Sequence, residues 1–266
     1  MESNKLLHTA TVEENTQICA DHFQLILKDD GGLSKTTLPG QFVNVVIPQR
    51  LDLLLRRPFS VARTNPEKRL LYIVYRIVGK GTSAMVGLKP GATMDVMGPL
   101  GNGWSLPEKA GNCLLIGGGC GVAPLWGLAE QLVRAGSRVF TVMGFQSQDK
   151  VFGEDIFQQI KADLTVTTDD GSYGCEGFVC DHLEPYLNQR IERAYVCGPM
   201  PMVKTVIPQL MQKNIEGEVS FEEIMGCGYG VCLSCVTEIE KNGSIQKERI
   251  CTEGPVFSIR EVKWQS

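Results

Sequence analysis

Four cysteines near the carboxy end constrain this chain more than any other feature. Cys227-Gly-Tyr-Gly-Val-Cys232-Leu-Ser-Cys235 has the spacing C-x4-C-x2-C, and Cys251 follows after fifteen further residues. A short loop must curl for three thiols to converge. Gly228 and Gly230 allow the positive φ angles of such a curl, and they let backbone N–H groups approach the sulfurs. Structural zinc sites usually come as paired short knuckles, which this loop does not resemble. Unliganded core thiols are the other alternative. The spacing is that of plant-type 2Fe–2S centres, and the expectation is a 2Fe–2S cluster on Cys227, Cys232, Cys235 and Cys251.

The remaining composition narrows the class. At roughly 100–200 residues per domain, a chain of 266 residues favours more than one domain. Its 26 Lys and Arg against 30 Asp and Glu give a net charge of −4, so the basic footprint of a nucleic-acid binder is missing. The start, Met1 to Lys5, lacks the apolar core of an export signal. Ten cysteines without such a signal point to ligands or redox groups in a reducing cytoplasm, not to disulfides. The most apolar stretch, Cys113 to Val133, carries several glycines, Pro124 and Glu130. It reads as strand, turn and helix, and no membrane span is expected. His8, His22 and His182 are scattered, which argues against a histidine-based hydrolase or metal site.

The rhythm of the chain changes near residue 100. From Thr9 to about Pro99, short runs such as Phe23–Leu27, Gln41–Ile47, Leu70–Val78 and Thr93–Met97 alternate with turn residues. That pattern predicts an antiparallel, Greek-key-like β barrel, interrupted by one helix over Thr82–Leu88. After Gly98-Pro-Leu-Gly-Asn-Gly, apolar runs at Cys113–Ile116, Arg138–Gly144, Leu164–Thr168 and Ala194–Val196 alternate with helical spacing. The helices fall over Val122–Ala135, about Glu154–Lys161, near Asp181–Asn188 and from about Pro201 to Gln212. Such alternation predicts a parallel sheet with crossovers. A cysteine-bearing tail follows, with strand patterns at Val236–Glu240 and Val256–Val262. The expected units are a barrel over 1–101, an α/β domain over 102–215 and a small cluster-bearing β subdomain over 216–266.

Each of the first two units carries residues suited to a nucleotide. In the barrel, Arg56-Arg57-Pro58-Phe59-Ser60 offers a cation for a pyrophosphate, an aromatic for a flat ring and a hydroxyl near a hydride-accepting atom. The string alone would also suit an ordinary strand entry with a charged edge. Val74-Tyr75-Arg76 follows, and then Gly79-Lys-Gly81-Thr82-Ser83 at a helix start, a cap that also favours phosphate. Taken together, the set points to a flavin. In the α/β domain, Gly117-Gly118-Gly119-Cys120-Gly-Val-Ala-Pro124 joins a strand to a helix without satisfying G-x-G-x-x-G. Its small residues still permit close approach of a ligand. Thr168-Asp-Asp170-Gly-Ser172, with Gly174, and Cys197-Gly198-Pro199-Met200-Pro-Met202 fall where other parallel strands should end, and ligands of such sheets bind there. Cys120 and Cys197 read as small buried residues beside a cofactor. Cys19, Cys113, Cys175 and Cys180 read as packing residues.

As a set, these motifs resemble the ferredoxin–NADP reductase superfamily. The tail, from Glu222-Glu-Ile-Met-Gly-Cys227 to Cys251-Thr-Glu-Gly-Pro-Val-Phe257, narrows the likeness to the electron transfer subunits of dihydroorotate dehydrogenase B. The resemblance runs from about Val12 to the final strand. It implies FAD on Arg57–Ser60, Val74–Arg76 and Gly81–Thr82. It further implies NAD in the α/β domain, at Gly118, Gly119, Asp170 and Cys197–Met200, and a 2Fe–2S cluster near a partner surface. The implied partner is an FMN-containing dihydroorotate dehydrogenase catalytic subunit, in a heterotetramer of two plus two. Phe59 departs from the superfamily's common Tyr, so a hydroxyl contact there is lost. The (β/α)8 barrel of a dehydrogenase alone takes about 250 residues, more than this chain has to spare. The resemblance therefore implies an oxidoreductase subunit of pyrimidine biosynthesis that moves electrons to NAD+. Similar reductase subunits serve hydrogenase, sulfur reductase and transhydrogenase complexes, which is the alternative. Gly144-Phe-Gln-Ser-Gln-Asp149 has no Arg for a 2′-phosphate, which favours NAD over NADP.

Overall fold

The structure is a computed structural model that describes residues 6–30, 32–48, 50, 52–241 and 243–262. The opening residues Met1 to Lys5, on which the absence of an export signal was argued, lie outside them. Strands β1 (Leu7–Cys19), β2 (His22–Asp29), β3 (Phe42–Val45), β4 (Arg57–Asn65), β5 (Leu70–Arg76) and β6 (Thr93–Leu100) close an antiparallel barrel in the order β1-β2-β5-β4-β3-β6. Alternation fills it: Leu25, Leu27, Leu71 and Ile73 point inward and are fully buried. Two short helices, α1 (Leu33–Thr36) and α2 (Lys80–Met85), contribute Leu33 and Met85 to the barrel core.

The second unit is a seven-stranded sheet. Its strands and helices are β7 (Asn112–Gly118), α3 (Trp126–Arg134), β8 (Arg138–Phe145), α4 (Glu154–Gln159), β9 (Asp163–Thr168), β10 (Cys175–Glu176), α5 (Glu184–Leu187), β11 (Ile191–Cys197), α6 (Met200–Gln212) and β12 (Gly217–Ser220). The tail adds the hairpin β13 (Val236–Lys241) and β14 (Ser244–Arg249), and β15 (Val256–Ser258). The sheet order is β10-β9-β8-β7-β11-β12-β15, all parallel except β15. Strand β7 is buried on both faces, as central parallel strands are. Leu114 and Ile116 join one core cluster while Cys113 and Leu115 join the other. The chain order reverses at β7, with β8 on one side and β11 on the other. Crevices at such reversals, outside the carboxyl ends of strands, take ligands.

Several elements differ from the sequence expectation, each for a local reason. The helix expected over Val122–Ala135 begins instead as a 3-10 segment, Gly119–Leu125, because Pro124 has no N–H to donate. Only Trp126–Arg134 is α-helical. The helix near Asp181–Asn188 is split into a 3-10 turn, Val179–His182, and the single turn of α5, which begins with Glu184-Pro185. The helix expected over Thr82–Leu88 starts two residues earlier and ends at Met85. The run Val256–Val262 keeps strand geometry only to Ser258. β12 and β15, both within 216–266, pair with each other inside the α/β sheet. Cys175, read as a packing residue, is exposed on the edge strand β10.

Trp126 shows how tightly the α/β unit is packed. It is 2% exposed, and a Cβ on Gly153 would meet its ring 2.6 Å away. Truncating it should cost about 3–5 kcal/mol of stability. Chemical denaturation of Trp126→Ala should show this as a lower midpoint with an unchanged slope.

Candidate functional site

Two cavities open where barrel and sheet meet. The first, about 400 Å³, lies between the β4–β5 face of the barrel and the loops after β7 and β11. Pro58, Phe59, Ser60, Val74, Tyr75, Arg76, Thr82, Gly118, Gly119, Gly198 and Pro199 all line it, so most of the sequence-predicted barrel and glycine-loop residues converge here. The second, about 390 Å³, runs along the carboxyl ends of β7, β8 and β9. Arg76, Gly118, Gly119 and Pro199 border both cavities. Two ligands lying in them would meet at that wall.

The wall is narrow because its residues are small. A Cβ on Gly118 would meet Met202 Sδ at 2.6 Å and Pro199 Cδ at 3.0 Å. One on Gly121 would collide with the Cys197 carbonyl. The loop after β7 can therefore lie against the loop after β11 only as the glycine-rich sequence it is. On the barrel side, Phe59 and Tyr75 rings lie 6.0 Å apart. Tyr75 is 1% exposed and its hydroxyl donates to Asn15 Oδ1 at 3.1 Å, which ties its polar end to β1. Burial pushes its phenol up to about 12.

Some predicted residues stand outside the lining. Arg57 and Gly81 adjoin the first cavity instead: the guanidinium of Arg57 packs over Gly81, with Nε 2.9 Å from where a Cβ would stand. Thr82 Oγ1 accepts from Val78 N at 2.9 Å and Gly79 N at 3.2 Å, which ties down the turn before α2. Asp170 is turned to solvent and accepts from Ser172 N and Oγ, while its neighbour Asp169 lines the second cavity. Cys197 is buried under the wall and Met200 is exposed at the start of α6. Burial pushes the Cys120 thiol up to about 12 and raises Cys197 too. Neither is a reactive thiolate at neutral pH.

Sequence reasoning missed Glu222, which lines the first cavity beside Arg76's wall. Water reaches this carboxyl from the cavity, yet protein crowds it on its other sides. That burial raises its pKa, against the lowering effect of Arg76. A carboxyl raised in the folded state contributes stability that is complete below the ordinary pKa and is lost as pH rises through the folded value. Glu222→Gln should therefore gain in melting temperature over the parent at pH 8 and lose that advantage at pH 4, by calorimetry. His22, Gln146 and Lys150 line the second cavity and were also missed.

The four cysteines of the tail come together as two pairs. Cys227 and Cys232 share hydrogen-bonding contacts across the curl, and Cys235 meets Cys251 beneath it. The outer pair is accessible, whereas Cys235 and Cys251 are each 2% exposed. Among the described residues, no three His, Cys, Asp or Glu side chains close on a single ion position. Two thiol pairs suit a two-iron cluster better than one tetrahedral ion, because each iron takes two of the four ligands. Backbone N–H groups already point at the sulfurs: Gly230 N lies 3.1 Å from Cys251 Sγ, and Val231 N lies 3.3 Å from Cys227 Sγ. Gly228 and Gly230 have φ of +79° and +87°, as expected from the curl. A Cβ on Gly228 would strike the Asn44 amide of the barrel.

These donors act on the thiols. Cys232 falls to about 6, chiefly through Ser234 Oγ and then through backbone N–H groups. Burial raises Cys227, but the N–H groups of Cys232, Tyr229 and Val231 outweigh it and its net shift is downward. Cys251 is raised to about 11 by burial and by its contact with Cys235, an arrangement that a bound cation would reverse. Arg249 braces the loop by donating to Gly230 O at 2.9 Å while its Nε donates to Glu253 at 2.9 Å. The segment Phe221, Glu222, Glu223 and Met225 walls the first cavity and runs directly into Cys227.

Comparison with known proteins agrees with this geometry. Residues 222–263 match the iron–sulfur cluster binding domain of dihydroorotate dehydrogenase B, and residues 115–207 match the oxidoreductase NAD-binding domain. The chain is 40% identical over 255 residues to the dihydroorotate dehydrogenase B (NAD+) electron transfer subunit of Shouchella clausii, covering 95% of this chain and 96% of that one. Identity to the subunit of the same name from Fusobacterium nucleatum is 38% over 262 residues, covering 97% and 98%. Among solved structures, a chain of the NADH-dependent reduced ferredoxin-NADP oxidoreductase superposes with a TM-score of 0.84 at 34% identity. That match covers 99% of this chain and 92% of that one. The thiol loop, the glycine wall and relatives matched along nearly their whole length converge: this chain belongs to the family of dihydroorotate dehydrogenase B (NAD+) electron transfer subunits.

Proposed function

We propose that this chain takes electrons from the FMN of a dihydroorotate dehydrogenase catalytic subunit and passes them, by way of a 2Fe–2S cluster and FAD, to NAD+. The observation that carries this is the continuity of the three sites. The two cavities share the wall of Arg76, Gly118, Gly119 and Pro199, and the segment Phe221–Met225 links the first cavity to the thiol loop. A flavin supplies the exchange between hydride and single electrons that neither a nicotinamide nor an iron–sulfur cluster performs alone.

The protein's part is positioning. Arg57, packed over Gly81 and next to the Thr82 turn, would supply the cation for a flavin pyrophosphate. Pro58, Phe59 and Ser60 present the β4 edge to the ring, with Val74, Tyr75 and Arg76 on the neighbouring strand. Gly118, Gly119, Gly198 and Pro199 would leave room at the shared wall for a nicotinamide beside the flavin site. Cys197, Met200 and Asp170 act through the backbone turns they belong to, since their side chains do not line either cavity. Hydride transfer between stacked rings needs orientation and no protein acid or base, in keeping with the scattered histidines.

The partner docks over the thiol loop. Ile224, Val231 and Leu233 are exposed by 86%, 69% and 61% around the accessible Cys227–Cys232 pair, an apolar surface of the kind that marks association. The proposed assembly is a heterotetramer of two such chains and two catalytic subunits, acting in the cytoplasm.

The test is a visible spectrum of the purified, anaerobically reconstituted chain, with iron, sulfide and flavin assays. Flavin and cluster absorbance should appear together, with iron and sulfide in equal amounts at twice the flavin, and NADH should bleach both. A colourless product, or zinc at the four thiols, overturns the proposal. The chain without its partner should reduce dyes with NADH but leave dihydroorotate untouched. Addition of the FMN subunit should restore dihydroorotate-dependent NADH formation.

A further inference from the structure

Lys150 ends the short 3-10 turn, Gln148–Lys150, that comes after β8, and it lines the nucleotide cavity, a position the glycine-loop motifs do not report. In dinucleotide-binding sheets, the side chains just past the second strand decide whether a 2′-hydroxyl or a 2′-phosphate is accepted. A free lysine there would favour the phosphate. This one is not free. Its Nζ donates to Gln146 Oε1 at 2.7 Å and lies 4.0 Å from Asp21 Oδ2. Asp21 comes from the other unit, at the tip of the β1–β2 hairpin.

The hairpin tip is seated on the loop that carries Lys150. Ala20 N donates to Asp149 O at 2.9 Å, and the rings of His22 and Phe152 lie 5.1 Å apart. Asp21 Oδ1 lies 2.8 Å from His22 Nδ1. Among the described lining residues, the other arginine or lysine is Arg76, and it stands at the wall shared with the flavin cavity. Asp169, at the end of β9, adds a carboxyl to the same cavity. The β8 side of the cavity thus presents one ammonium that is hydrogen-bonded to Gln146 and ion-paired with Asp21.

We propose that Lys150 is a specificity-determining residue held by a latch from the barrel. Committed to Gln146 and Asp21, its ammonium is withheld from a 2′-phosphate, and the cavity selects the unphosphorylated dinucleotide. This rests on reading the cavity as the nicotinamide nucleotide site, and adds the device that sets its preference. Preference for NAD over NADP is then a property of how the two units dock, not of the α/β domain alone.

Calorimetric titration of the holo-chain with adenosine 2′,5′-bisphosphate and with 5′-AMP reads the latch without turnover. The parent should hold the bisphosphate no more tightly than 5′-AMP. Asp21→Asn keeps a hydrogen-bonding group for His22 but removes the charge. It should tighten the bisphosphate about five-fold, the scale of one half-exposed ion pair, and leave 5′-AMP unchanged. Gln146→Ala, on an exposed loop position, should move the ratio the same way. Adding Lys150→Met to Asp21→Asn should return the ratio to that of the parent. An unchanged ratio in both single variants overturns the latch, as does a gain that survives Lys150→Met. Failure of 5′-AMP to bind any of them overturns the nucleotide reading of the cavity, and the latch with it.

Discussion

Cys232→Ser should abolish the reddish-brown cluster absorbance while the flavin spectrum stays. Dihydroorotate-dependent NADH formation in the reconstituted complex should fall at least about a hundredfold if Cys232 is, as proposed, a cluster ligand, because the variant then breaks the one-electron relay. NADH-dependent dye reduction should persist, since dyes accept electrons at the flavin. Cys232 is the thiol of choice for this test. It is exposed, so its replacement leaves the packing around Cys235 and Cys251 undisturbed. Equal loss of both activities would mean that the thiol loop serves folding and not electron transfer. Electron paramagnetic resonance after dithionite reduction distinguishes the cases directly.

Gly118→Val should have an effect of similar size at the other end of the relay. The added side chain must displace Met202 or Pro199, at 2.6 and 3.0 Å, in the wall between the cavities. A shift of about 1 Å in the approach of two reacting groups can cost about a hundredfold in rate. Stopped-flow bleaching of the bound flavin by NADH, normalised to flavin content, should slow by that factor, with cluster absorbance unchanged. Retention of the parent rate would show that the nicotinamide reaches the flavin by a different route.

What was legible in the sequence was mostly what is local along it. The thiol spacing, the glycine loop after β7 and the Arg57–Ser60 string each depend on a few adjacent residues, and the structure places them at one junction. Residues that act across units were not legible. Glu222 faces Arg76, and Asp21 faces Lys150, only because barrel and sheet dock as they do. A one-residue phase separates Asp170 from Asp169, and a turn's exact phase is not written in its composition: Asp170 spends its carboxylate on Ser172 while Asp169 lines the cavity. Helix lengths were overestimated where Pro124 and Pro185 interrupt an otherwise periodic pattern. Lys150 stands one residue beyond the run Gly144–Asp149, whose own composition holds no cation for a 2′-phosphate.

The edge strand β15 ties the ends of this history together. By pairing antiparallel to β12, with Val219 opposite Phe257, it makes the last stretch of the chain the outer border of the nucleotide sheet. Removing everything after Asn214 would therefore strip two rungs from that sheet and leave β11 as a raw margin open to other chains. Chimeras that exchange the redox tail between relatives should be joined at Phe221 and Pro255, inside the border strands, so that the host keeps its own hem.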